Sequence, residues 1–216
     1  MKVIDKLNNA LAKAGAPTNY KHFNWDKDPM SPIDALVNGP FNREPFFQIV
    51  LDYAPKLEPG DKSYVARILS KKGNYEAVPF LLSLFRNYTV SELDLWAVGN
   101  ALYIIDDKSS YEAVLEICKD KTKGIARQML MRTLARMKSA EAYQVLIDSL
   151  NDHTIKAHAI EALGRFGDTS AIPILEDLEV KKGLYEYRAR ITALNRLKRK
   201  LEKENTKAEE SSIDFP

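Results

Sequence analysis

One pattern recurs along this chain about every thirty residues: a short helix, a tight turn and a second helix. Its clearest copy covers residues 154–178, TIKAHAIEALGRFGDTSAIPILEDL. A hairpin of that size cannot bury its own apolar face, so successive copies must stack and share one core. The period therefore sets the architecture before any chemistry is considered. It favours an open binding surface over an enclosed active site.

The first helices are expected at 76–85, 111–119, 140–150 and 171–179, each carrying an alanine followed by an apolar or aromatic residue. Those alanines, Ala77, Ala113, Ala142 and Ala171, fall at matching places in successive copies. Pro79 and Pro173 lie in the first turn, where a missing N–H costs little. Ser91 with Asp94 and Ser109 with Glu112 have the spacing of reciprocal helix caps. The second helices align through Leu69, Leu102, Leu134, Leu163 and Leu194. In the best copy Ile155, Ala159, Ile160, Ala162, Leu163 and Phe166 make a wide apolar stripe at helical spacing. Gly167 suits a left-handed helix stop, and Asp168 or Thr169 can start the next helix.

These residues resemble the HEAT repeat, in the short form also found in phycobilisome-lyase-like proteins. The match runs through Ala159-Ile160, Ala162-Leu163-Gly164, Gly167-Asp168 and Ala171-Ile172-Pro173-Ile174-Leu175. Weaker copies extend it over residues 45–203. The resemblance implies an all-α fold, a right-handed α-solenoid of about five stacked helix pairs, with the second helices lining its concave side. It says little of function, because one fold hosts many. Residues 1–44 are expected to form an N-terminal helix and an aromatic, proline-rich capping segment. That segment contains Tyr20, Phe23, Trp25 and Phe41, and an arm that binds a partner is its second reading. Residues 204–216, acidic and poor in large apolar side chains, are expected to be a disordered tail.

Charge is distributed unevenly. The net charge is only +2, yet residues 121–203 carry 17 basic and 10 acidic side chains. No run of eighteen apolar residues suggests a membrane span, and no secretion signal is evident. With a single cysteine, Cys118, these features point to a reducing cytoplasm. Cys118 itself, within EAVLEIC, reads as core.

Aligning the second helices on their leucines places other side chains at equivalent positions. One set is Arg67, Asn100, Arg132, Glu161 and Thr192; a second is Ser63, Trp96, Gln128, Ala157 and Arg188. The third is Lys71, Ile104, Arg136, Arg165 and Arg196. Cations near helix C-termini are favoured by the dipole, which alone could explain the third set. A guanidinium stripe for an acidic partner is the functional alternative. Trp96 could be core or could face the groove as an amphipathic anchor, and His158 could be a packed histidine or part of a polar centre. The candidate partner-binding residues are therefore Trp96, Asn100, Arg127, Gln128, Arg132, Lys156, His158, Arg165 and Arg188.

No catalytic residues, metal ligands or cofactor are expected. His22, His153 and His158 are followed by Phe, Thr and Ala, which lacks the paired His-Glu dipeptides of iron-dependent hydroxylases with HEAT-like repeats. Glycine-rich phosphate loops and nucleophile elbows are missing from the sequence. The leading expectation is a non-catalytic interaction module that takes a protein or peptide with acidic groups into the groove. The alternative is a nucleic-acid-binding HEAT-like protein using the basic C-terminal half, with a DNA repair glycosylase as its enzymatic form. Against the glycosylase, Asn100 stands one turn from Trp96 where a carboxylate would be needed.

Overall fold

The computed structural model describes residues 1–18, 30–86 and 90–213, with side chains through residue 207. Tyr20, Phe23 and Trp25 of the expected capping segment lie outside the described residues. Among the described residues the regular elements are helical, with no strand. The fold class is that of an α-solenoid, with helix hairpins following one another along the chain. Two compact units divide it, Met1–Ser110 and Tyr111–Pro216.

In the first unit, α1 (Val3–Lys13) and α2 (Pro32–Asn38) precede two hairpins. These are α3 (Phe47–Tyr53) with α4 (Pro59–Leu69), and α5 (Val78–Phe85) with α6 (Glu92–Ile105). Helix α1 packs on α3 and α2 packs on α4, and their Leu7, Leu11, Ile33 and Leu36 are almost fully buried. Helix α2 was not anticipated in so proline-rich a stretch. Ser31 makes it possible: its hydroxyl accepts from the Asp34 N–H at 3.2 Å, and Pro32 takes the first helical position. The same device starts α6, where the Ser91 hydroxyl accepts from the Asp94 N–H at 3.2 Å. In both helices the aspartate also reaches α4. Asp34 accepts from Tyr64 at 2.7 Å and Asp94 from Ser63 at 2.6 Å. One residue thus fixes both the helix start and its packing partner.

The second unit holds three hairpins. Helices α7 (Tyr111–Lys119) and α8 (Met131–Met137) form the first, α9 (Ala140–Asp148) and α10 (Lys156–Phe166) the second. Helices α11 (Ala171–Asp177) and α12 (Tyr185–Ile213) form the third. Helix α10 lies between α8 and α12 and packs on both. Leu134, Ile160 and Leu163 are fully buried there, each worth about 2–5 kcal/mol against alanine. Gly167 ends α10 at φ 76° as expected, and the Asp168 carboxylate accepts from the Ser170 N–H at 3.0 Å just before α11.

Three local expectations need correction. Ser109 bonds backwards to the Asp107 carboxylate at 2.8 Å, so its hydroxyl is directed away from Glu112. The second helix of the α7–α8 hairpin begins only at Met131, because Gly124 at φ 45°, ψ −130° breaks the chain into tight turns. Finally, α12 runs through Ile213, so residues 204–213 are helical where a disordered tail was expected. Lysines and glutamates are good helix formers, and the Lys200–Glu204 pair at 3.3 Å has the i,i+4 spacing that supports a helix.

Candidate functional site

In the first unit, Trp96 and Asn100 of α6 do share a depression, of about 400 Å³. Arg67 and Ser70 at the end of α4, Arg43, Ala97 and Ile104 complete its lining. Trp96 and Asn100 are both partly buried, neither core nor free surface. Arg43 is structurally committed: its guanidinium donates to the Arg67 carbonyl at 2.6 Å and to the Ser70 carbonyl at 3.3 Å, capping α4. Arg67 is exposed, with its guanidinium 6.0 Å from the Tyr64 ring centroid. The result is an amphipathic hollow with an indole, an aliphatic edge and one accessible cation.

The second unit carries the larger polar surface. Arg132 on α8 donates to Glu161 on α10 at 3.1 Å, and the Tyr185 hydroxyl at the start of α12 donates to the other Glu161 oxygen. The His158 ring stands edge-on to Tyr185, with centroids 6.0 Å apart. One carboxylate therefore ties three successive second helices together. Burial pushes the Glu161 carboxyl up, but the Tyr185 hydroxyl and the Arg132 guanidinium outweigh it and hold the group below its usual range. Burial lowers His158, reinforced by Arg132 and opposed by Glu161, so its imidazole is neutral at pH 7. Burial and the bond to Glu161 push Tyr185 above its usual range.

Beside this network, Arg165, Arg188 and Arg196 line a pocket of about 160 Å³ between α10 and α12, with Glu161 and Tyr185 at its edge. Along α12 the surface widens into a depression of about 540 Å³ lined by Arg196, Arg199, Lys200 and Lys203. Arg165 sits in the last turn of α10, where the helix dipole alone would favour it. That explanation fails for Arg196, because α12 continues to Ile213. Arg132 is engaged with Glu161, whereas Arg165, Arg188, Arg196 and Arg199 are exposed.

Not every candidate residue belongs to this surface. Arg127 is 2% exposed and folds inward. It donates to the carbonyls of Gly124 at 3.2 Å and Cys118 at 3.4 Å and to the Asp152 carboxylate at 2.5 Å. The break at Gly124 turns this side chain into the hairpin, so Arg127 is a structural cation and unavailable to a partner. Burial raises Asp152, but the Thr154 hydroxyl, the Arg127 guanidinium and the Thr154 amide pull it down to about 2. Gln128 donates to the Thr154 carbonyl at 2.7 Å and so holds the turn that leads into α10. Lys156, partly buried in the first turn of α10, belongs to the second unit with His158 and Arg165. Cys118 is buried as expected, and burial pushes its thiol up, far from a reactive thiolate.

Residues 123–195 match the family model of HEAT repeats. That stretch of the chain carries HEAT repeats. The matched stretch includes α8 to α11 and the first part of α12, and so contains Arg165, Arg188 and the Glu161 network, while Arg196 and Arg199 lie just beyond it. No curated protein and no solved structure matched the chain. No helix among the described residues is long and apolar enough to cross a membrane. HEAT repeats commonly mediate protein interactions.

Two features of this surface escaped the sequence reading. Glu161 was aligned with Arg132 at equivalent repeat positions, so their pairing was implicit but its locking role was not. Tyr185 precedes the periodic part of α12, and no counterpart in an earlier repeat could have signalled it.

Proposed function

We propose that this protein is a non-catalytic interaction module that binds an acidic segment of a protein partner along the α10–α12 surface. The observation that carries the proposal is the pocket lined by Arg165, Arg188 and Arg196, continued along α12 by Arg199 and Lys203. Guanidinium groups on neighbouring rigid helices suit carboxylates, which they can engage through paired hydrogen bonds. The Arg132–Glu161–Tyr185 network supplies the rigidity: it fixes the helix spacing and leaves the pocket arginines exposed. Trp96, Asn100 and Arg67 give the first unit a second candidate surface, where an apolar side chain would anchor on the indole.

Fluorescence anisotropy with a labelled oligoglutamate peptide tests the reading. Saturable binding is expected, weakened about tenfold or more in an Arg165→Glu, Arg196→Glu double variant of unchanged helicity. Equal binding by that variant, or tighter binding to a duplex DNA oligonucleotide than to the peptide, would overturn it. The latter result would favour nucleic acid as the partner.

A further inference from the structure

Three guanidinium groups line one small pocket, more than a single carboxylate can use. Arg188 and Arg196 stand on α12 two turns apart, about 12 Å along its axis, with Thr192 between them. Arg165 comes from α10, directly after Gly164, the residue that abuts Ala193. The pocket of about 160 Å³ is therefore walled by cations from two helices. Gly164, Ala189 and Ala193, all buried, line it where those helices touch.

The other polar groups of the pocket are already engaged. Glu161 accepts from Arg132 through one oxygen and from Tyr185 through the other. Thr192 donates to the Arg188 carbonyl at 2.9 Å, within its own helix. What the pocket offers an incoming group is guanidinium. The number of forks separates two kinds of acidic ligand. A carboxylate has two oxygens and a single negative charge, and one guanidinium fork satisfies both oxygens. The second and third arginines would then lack an acceptor. A phosphate monoester carries three terminal oxygens and about −1.5 to −2 charge at pH 7, enough to engage several forks at once.

We propose that the α10–α12 pocket receives a phosphorylated serine or threonine side chain of the partner protein, an inference that rests on the acidic-partner reading above. Clusters of arginine suit phosphorylated segments, because planar forks from rigid helices match phosphate oxygens in pairs. The wider depression along α12 shares Thr192 and Arg196 with the pocket and continues past Arg199 to Lys203. From Thr192 those two residues are about 10 and 16 Å along the helix. An extended segment, rising about 3.3 Å per residue, covers that span in roughly three to five residues. The partner's acidic side chains therefore stand about three to five positions from the phosphorylated one. A nucleic-acid backbone fits less well, because the net charge is only +2 and Glu202 and Glu204 flank Lys203.

Fluorescence anisotropy on the full chain tests this with two labelled peptides. One carries a phosphoserine with glutamates three to five positions to either side. The other has glutamate in its place and one added terminal glutamate, so that the charges match. The phosphopeptide should bind about tenfold or more tightly than its charge-matched counterpart. Arg165→Lys with Arg188→Lys and Arg196→Lys keeps every charge and loses the forks. That variant should erase the preference, with unchanged helicity and with affinity for the glutamate peptide within about threefold of wild type. Equal affinity of the wild type for both peptides would overturn the inference and leave the acidic-partner reading standing. A preference that survives in the lysine variant would overturn its placement in this pocket. Binding of neither peptide would remove the inference and the reading together. Tighter binding to a single-stranded oligonucleotide than to the phosphopeptide would also overturn it, in favour of nucleic acid.

Discussion

Gly164 on α10 and Ala193 on α12 meet so closely that a Cβ built on Gly164 would lie 2.7 Å from the Ala193 Cα. The hydrogen-only side chain is what lets these two helices share a core and brings Arg165 and Arg196 to the same pocket. Helix propensity taken alone predicts that alanine at this position stabilises the protein by about 1 kcal/mol. Backbone contact predicts the opposite sign. Gly164→Ala should destabilise by about 1–3 kcal/mol in urea unfolding, since the obstructing atom belongs to the main chain and cannot rotate away.

Arg127 and Asp152 form a shielded pair, with side chains 3% and 16% exposed. Replacing Arg127 with Met leaves Asp152 without its cation and three backbone or carboxylate acceptors without a donor. A loss of about 3 kcal/mol is expected, read as a lower midpoint in chemical denaturation. The Asp152 carboxyl, held down to about 2 against an ordinary 3.8, adds stability that is fully present above pH 4 and lost as pH falls through about 2. Asp152→Asn should therefore flatten the acid limb of the stability profile in that window.

His158 gives a pH dependence at milder acidity. Its folded imidazole binds a proton less readily than the ordinary value of 6.5, so below that pH the unfolded chain takes up more protons than the folded one. Stability should fall as pH drops from about 6.5. His158→Asn should remove that slope while leaving stability at pH 8 within about 1 kcal/mol of wild type. Thermal melts of both proteins from pH 5 to 8 measure it.

Much of the fold was legible because burial in repeats is periodic. Helix α7 matches its expected bounds, and Gly167 and Ser91 end and start helices where their chemistry predicted. What escaped was set by single residues outside the period. A positive φ at Gly124 shortened the second helix of its hairpin and turned Arg127 inward, and α12 overran its repeat through charged residues that favour helix. Among the candidate partner-binding residues, the fold brings Arg165 and Arg188 to one pocket and Trp96 and Asn100 to another, although the repeat alignment set Arg188 beside Trp96. The alignment could not distinguish Arg127 from its neighbours, because a buried arginine and an exposed one look alike until their acceptors are known.

The most direct test of the acidic-partner surface is residue-resolved. Titrating isotopically labelled protein with the oligoglutamate peptide and following amide and arginine side-chain resonances should shift Arg165, Arg188, Arg196 and Tyr185 together, with one saturation curve. Shifts confined to α1 and α2, or no shift at any of those four residues at saturating peptide, would contradict it.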